Sequence, residues 1–437
     1  MIPLAHGVGT RADLPIPVNL AIIAGGTAVL VSFLALGALW REPRLRGASA
    51  GRPLPMAVQR VVDSPVTTTV LRVVALAVAV LVLVVALVGP TDPPANLAPW
   101  AFFIQFWVGI VPASLLLGPV WARVNPLRTV HAVLSRVTGP PPGRVGLERF
   151  GYWPGAVALL SFAWFELAFP DRSNPRYVGL YILVYSLVQL LAALWCGERW
   201  FSRGDGFEVY STLMGRLSPF GRRDDGRLVV RNPLDGVAGL PVEKGLAAVV
   251  VVLVGSTAFD GLTRTLWWQN GPGIAGDART LPQLIGLALM VPLVGILYVG
   301  ATWLAARISG VPGGPGQYAH SVIPIAAGYA IAHYFSLLLI DGQLTYILMS
   351  DPFGQGWNLF GTAANSIDYT AVSARVISVV QVLAIVTGHV LGVVLAHDRA
   401  VRLAGPEHQA AARTSQYPLL VVMVIFTVGG LLLLLGG

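Results

Sequence analysis

Apolar residues run along this chain in long blocks separated by short, arginine-bearing polar stretches. The blocks VLRVVALAVAVLVLVVALVG (70–89) and LLVVMVIFTVGGLLLLLG (419–436) are long enough to cross a bilayer as helices. Ten such segments of about 20 residues can be drawn, at 17–40, 68–89, 99–121, 152–169, 177–197, 245–266, 281–306, 318–341, 372–397 and 416–436. The pattern therefore predicts an all-α integral membrane protein, a bundle of about ten transmembrane helices in a single polytopic domain covering 1–437. Its longest connections are 198–244 and 342–371. Within the connections, PLRTVHAVLSRV (126–137) and FEVYSTLMGRLSPF (207–220) carry apolar residues at helical spacing, which predicts interfacial helices. FGRRDDGRLVVRNPLDG (220–236) reads as a short hairpin. No internal repeat is visible.

The distribution of charge fixes the orientation. Basic residues crowd into four connections: five arginines in 41–67, five in 122–151, seven arginines and Lys244 in 198–244, and three arginines in 398–415. Ten spans put all four on one side, and the positive-inside rule makes that side cytoplasmic. Both termini are then expected outside the cytoplasm, with 198–244 a cytoplasmic loop and 342–371 an external one. The chain is 11% charged and 55% hydrophobic, with a mean hydropathy of +0.70. That is too few charges to cover a water-soluble globule, for which about 25% is usual. The net charge of +8 reflects the orienting arginines, so the expected partner is the lipid bilayer and not nucleic acid; a small-molecule substrate and a membrane-protein partner are left open. The single cysteine, Cys196, excludes an intrachain disulfide and a cysteine-rich metal site. No basic start followed by an apolar core precedes His6.

Depth then sorts the polar residues. An ionisable side chain inside a span is costly and marks a candidate functional site. At about 1.5 Å of rise per residue, Gln105, Glu166, Asp260 and His333 all fall within roughly 12 Å of the external face, with Asp341 at that face and His6 just before the first span. Tyr329 and His333 share one helix face, and Pro324 interrupts the same helix one turn earlier. Asp260 and Arg264 are also four apart and form a candidate pair. Histidine with carboxylates suits a divalent metal such as zinc, with His333, Asp260, His6 and Asp341 as ligands. It equally suits acid–base catalysis by His333, Asp260 and Glu166. The inner histidines His320, His389 and His397 suggest a haem instead, without a CxxCH motif. His131, His397 and His408 read as interfacial, and Trp267 and Trp268 as aromatic-belt residues. DPFGQGWNLFGTAANSID (351–368) has the length of a lid or binding loop.

Several stretches together resemble the bacterial polytopic membrane proteins labelled fenitrothion hydrolase-like: AHGVGTRADLPIPVNL (5–20), FAWFELAFPD (162–171), FEVYSTLMGRLSPFG (207–221), STAFDGL (256–262), IPIAAGYAIAHYFSLLLIDGQ (323–343) and GHVLGVVLAHDRA (388–400). The resemblance covers most of the chain and includes Glu166, Asp260, His333 and Asp341. It implies a hydrolase of the bacterial plasma membrane acting on an organophosphate ester, and assigns no catalytic residues. Such relatives carry an apolar leader before the AHG segment, which is missing here. Three functions follow as expectations: a hydrolase with an outward His/carboxylate pocket, metal-dependent in one version; a small-solute or proton-coupled transporter; and a redox or assembly subunit using the inner histidines.

Overall fold

A computed structural model describes residues 17–139, 147–272, 280–310, 314–405 and 414–435. In chain order its main helices are α1 (Val18–Leu39), α2 (Met56–Asp63), α3 (Pro65–Val88), α4 (Leu97–Leu117), α5 (Pro126–Thr138), α6 (Trp153–Leu167), α7 (Pro175–Cys196), α8 (Gly206–Gly215), α9 (Leu246–Thr263), α10 (Thr280–Ser309), α11 (Pro315–Leu339), α12 (Gln343–Leu348), α13 (Ala374–Ala404) and α14 (Tyr417–Leu435). Among the described residues nine of these are long and apolar enough to cross a membrane, and α6 is a shorter apolar helix. These ten occupy the ten predicted spans. The chain is an all-α membrane protein, with three short strands among the described residues.

All four basic connections meet at one end of the bundle. The hairpin expected at 220–236 forms from β2 (Phe220–Arg222) and β3 (Leu228–Val230), and β1 (Arg52–Pro53) from another connection adds a third antiparallel strand. Asp63 pairs with Arg123 and Arg222 and so joins three connections. The fourth is tied in by buried Asp398 at the end of α13. Its Oδ1 accepts from the backbone N–H groups of Arg44 (2.7 Å) and Leu45 (3.2 Å) and from Trp40 Nε1 (3.2 Å). Since α1 runs toward this basic end and α14 away from it, both described chain ends lie at the opposite end.

The centre of the bundle is α11, buried along almost its whole length. It packs on α13 through small residues. A Cβ added at Gly328 would stand 2.4 Å from the Ala384 carbonyl oxygen, and one at Gly388 would stand 2.6 Å from that of Pro324. Such close backbone approach is how helices gain contact in lipid, where apolar burial drives nothing. The first half of α4 is π-helical over Ala101–Val108. This widened turn aims Gln105 at α11's end, where its Nε2 donates to the Gly342 carbonyl at 2.9 Å.

The interfacial helix expected over 207–220 is a correction. The helix exists as α8, but nearly every residue in it is buried. Phe207 packs edge-on against Phe102, Phe106 and Phe162, with centroids 4.9–6.2 Å apart. A segment with Glu208 and Ser211 avoids water because each polar group has a partner. Arg128 on α5 grips Glu208 with Nη2 to Oε1 at 2.6 Å and Nε to Oε2 at 2.8 Å. Asn125 Nδ2 donates to Asp205 Oδ2 (2.7 Å) and Glu208 Oε2 (3.0 Å), and Tyr185 on α7 donates to Asp205 Oδ1 at 2.6 Å. Ser211 pairs with Ser114 of α4 at 2.9 Å. Asp205 Oδ1 also caps the helix, accepting from the Phe207 N–H. The helix expected at 126–137 is present as α5, with Val133 and Val137 exposed.

Smaller corrections follow from packing. Trp268 is buried edge-to-face on Phe259, whereas Trp267 is exposed as a belt residue should be. His131 and His397 lie at the basic end but are buried. His131 Nε2 meets the Ala193 carbonyl, and both His397 nitrogens are engaged, by Gln416 Oε1 at 2.8 Å and the Trp40 carbonyl at 2.9 Å. His6 and His408 lie outside the described residues.

Removing Arg128 would strand Glu208 as an uncompensated buried charge. Arg128→Ala is expected to destabilise the protein by about 3–5 kcal/mol, the usual cost of breaking a buried ion pair from one side. Thermal unfolding in detergent checks this, and an unchanged midpoint would show that α8 is held otherwise.

Candidate functional site

The site lies in the half of the bundle away from the basic connections. Helix α6 starts at the basic end, where the Tyr152 N–H bonds the Lys244 carbonyl at 2.8 Å, so Glu166 falls at its far end. Helix α9 starts two residues after Lys244 and carries Asp260 near its far end. Helix α11 brings His333 and Tyr334 to the same level.

Asp260 and His333 are directly bonded, with His333 Nε2 2.7 Å from Asp260 Oδ2. Tyr334 also donates to Oδ2, at 3.1 Å, and Arg264 Nη2 lies 3.3 and 3.4 Å from the two carboxylate oxygens. The carboxylate thus has three donors, which fix its position. The expected Asp260–Arg264 pair exists, but the closer contact is to the histidine. The imidazole is itself clamped: it stacks on Tyr329 (5.6 Å, 19°) and meets Tyr334 edge-on (4.7 Å, 90°). Tyr329 in turn lies over Gly261, where any Cβ would stand 2.4 Å from the tyrosine oxygen. The small residues around Asp260 are therefore what admits this ring. His333 Nδ1 and the Tyr329 hydroxyl are buried and make no hydrogen bond among the described residues.

Asp260, not His333, faces open space. At the end of the bundle away from the basic connections it lines a cleft with Glu166, Arg172, Arg264, Tyr334 and Asp341, walled on its apolar side by Trp100, Phe103, Ile104 and Leu337. The cleft and the open solvent at its mouth together span about 660 Å³. Behind it lies a small, mostly apolar chamber, with room for little more than a water molecule, lined by Trp107, Leu159, Phe162, Val252, Leu253, Ser256 and Thr257. Glu166, Leu167 and Tyr334 line both. Glu166 is half-buried and makes no hydrogen bond among the described residues, in contrast to Asp260. Arg172 is delivered by the α6–α7 turn, in which Asp171 takes a left-handed backbone (φ 53°) that aspartate tolerates better than most residues. The inner chamber's Ser256 and Thr257 hydroxyls both donate to helix carbonyls.

The structure therefore brings Glu166, Asp260, His333 and Asp341 into one neighbourhood, as depth alone suggested. It separates them by role: His333 stands behind Asp260, Glu166 is unattached, and Asp341 lies toward the mouth. No group of three His, Cys, Asp or Glu residues that could hold a metal ion occurs among the described residues. A zinc ion on Asp260 and His333 would have to break their mutual bond and displace Arg264. The inner histidines do not join this site; His389 Nδ1 bonds the Ile385 carbonyl of its own helix at 2.9 Å. The loop expected to be external, 342–371, folds on itself, with Ser350 and Asp351 holding its backbone turns. Sequence reading missed Arg172, Tyr334 and the apolar chamber. Only Tyr334, beside His333, had a local signal.

No family model, curated protein or solved structure matches the chain. What the fold and site define is a class, a polytopic all-α membrane protein with a carboxylate-rich cleft in one half of its bundle.

Asp341 lies two residues beyond α11, and its Oδ2 is buried without a hydrogen bond among the described residues. Burial pushes its carboxyl up to about 6. A raised carboxyl disfavours the ionised folded state, so the penalty is absent below pH 4, grows as pH rises to 6, and is full above it. Asp341→Asn is expected to raise the unfolding temperature at pH 8 and leave it unchanged at pH 4. A gain of equal size at both would refute the assignment.

Proposed function

We propose that this chain is an integral membrane hydrolase of the bacterial plasma membrane, with its cleft and both termini outside the cytoplasm. The observation that carries the reading is Glu166: a carboxylate without a hydrogen-bond partner among the described residues, set in a solvent-reached cleft beside a second carboxylate that His333, Tyr334 and Arg264 hold. One unattached and one fixed carboxylate are suited to proton transfer and to charge stabilisation respectively. Glu166 takes the proton of a water that attacks phosphorus; the P–O bond to the alcohol leaving group breaks, and protonated Glu166 returns the proton to the departing oxygen. Asp260, held by His333 and Tyr334, orients Arg264, which with Arg172 offers guanidinium donors to the ester's polar oxygens. The apolar wall of Trp100, Phe103, Ile104 and Leu337 takes the hydrocarbon part of the substrate. Resemblance to the fenitrothion hydrolase-like proteins supports an organophosphate ester as the substrate class. The orientation rests on the arginine-rich connections and the even number of crossings.

A transporter using the same residues is the second reading. It must reckon with α8 and its aromatic neighbours, which fill the bundle between the chambers and the basic end. Trp107, which lines the inner chamber, stacks on Tyr210 at 4.7 Å and packs at a tilt on Phe162 at 4.3 Å. A substrate path would require that plug to move. The redox reading would have to use His389, whose Nε2 is buried without a hydrogen bond among the described residues, since His397 has both nitrogens engaged.

Hydrolysis of a chromogenic nitrophenyl phosphotriester by purified protein in proteoliposomes tests the main reading. Glu166→Gln is expected to lower kcat/KM by roughly 10²–10⁴, the range for a lost general base, and Arg172→Ala to raise KM mainly. Undiminished turnover in Glu166→Gln would end the assignment, and uptake without hydrolysis would favour the transporter. For orientation, Cys196 near the basic end of α7 should resist a membrane-impermeant maleimide in intact cells. Ser173→Cys in a Cys196→Ser background should react. The reverse pattern would invert the topology.

A further inference from the structure

Arg72 is charged and lies inside a span. It is the eighth residue of α3, whose 24 residues make a rod about 36 Å long against a hydrocarbon layer of about 30 Å. Arg72 stands about 10 Å along that rod from its basic-end start. Its neighbours Val70, Leu71, Val73 and Val74 are exposed on the outside of the bundle, where lipid lies. Its Nε donates to the Arg123 carbonyl at 3.2 Å. Its two terminal nitrogens find no acceptor among the described residues, and no carboxylate pairs with it. The nearest acid in the fold's wiring, Asp63, is already shared by Arg123 and Arg222.

The comparison with the other arginines near span ends is informative. Arg307 lies over the Trp303 ring at 4.7 Å. Arg176 donates to the carbonyls of Ala86 and Gly89 at 2.6 and 3.0 Å. The guanidinium of Arg307 has an aromatic partner and that of Arg176 has two carbonyl acceptors, whereas among the described residues the terminal nitrogens of Arg72 have neither. A guanidinium at the edge of hydrocarbon needs acceptor oxygens, and its fork matches a phosphate. The exposed Arg60 and Arg136 add positive charge on the flanking helices α2 and α5. Exposed Val133 and Val137 of α5 give acyl chains an apolar wall.

We propose that Arg72 binds the phosphate of an anionic glycerophospholipid from the leaflet at the basic end, seated between α3 and α5. Lipid retention of the full-length protein, measured by native mass spectrometry after exchange into phosphatidylglycerol/phosphatidylcholine micelles, tests it. Wild-type protein is expected to retain phosphatidylglycerol in preference to phosphatidylcholine. Arg72→Gln should reduce that retention roughly fivefold, the worth of one arginine at an anionic surface. Arg72→Lys keeps the charge without the fork and should fall between, which also serves should the glutamine variant fail to fold. Arg60→Gln should change little. Equal retention of both lipids by wild type, or unchanged retention in both Arg72 variants, would overturn the site. Displacement of the lipid by millimolar inorganic phosphate would assign it to a free anion and overturn the lipid reading.

Discussion

The ionic knot under α8 is the constraint on which the rest of the structure depends. A helix carrying Glu208, and entered through Asp205, belongs at a membrane surface unless both carboxylates are matched. Arg128, Asn125 and Tyr185 match them from two other segments, α5 with its cap and α7. With its charges answered, the helix moves inward and presents Phe207 and Tyr210 to the aromatic side chains of α4 and α6. That fills the basic half of the bundle. A bundle of ten helices with one half filled leaves its open space in the other half, where the cleft and the chamber are found.

This explains which parts of the architecture were legible in the sequence. Spans announce themselves because lipid tolerates no polar interruption, so their ends coincided with the apolar blocks to within a few residues, the late end of α13 excepted. That four connections share one end of the bundle was legible because their arginines cluster there, and the positive-inside rule gives the expected membrane face of that end. The position of α8 was not. FEVYSTLMGRLSPF has the amphipathic pattern of an interfacial helix, and what buries it are Asn125, Arg128 and Tyr185, which lie elsewhere in the chain. Periodicity reports what a segment would prefer alone. It does not report a partner that cancels its charges.

The candidate site was legible to a similar extent. Depth placed Glu166, Asp260, His333 and Asp341 at one level, and the structure gathers them at that level. Depth could not rank them. His333 is the residue that hydropathy makes conspicuous, yet it faces Asp260 and two tyrosine rings and not the cleft. Glu166, near a span end and unremarkable by itself, is the carboxylate both chambers share. Arg72 makes the same point from the other end of the bundle: inside an apolar run it attracts less notice than the loop arginines, and only its unshared terminal nitrogens mark it out.

The division between the two carboxylates follows from helix packing. Gly261 lets Tyr329 approach α9 closely, and that contact sets His333 at bonding distance from Asp260 one residue away. With the histidine in place, Asp260 is committed: its oxygens serve His333, Tyr334 and Arg264 together. Turning it toward a substrate would break bonds between α9 and α11 in a region where few other polar groups could replace them. Glu166 sits on α6 with no such obligation, and its neighbours across the cleft are already positioned. Under the proposed hydrolytic function, a fixed wall and one unattached carboxylate serve different steps, the first as a rigid electrostatic frame and the second as the base. In that reading the glycine at 261 supplies the first and the end of α6 the second.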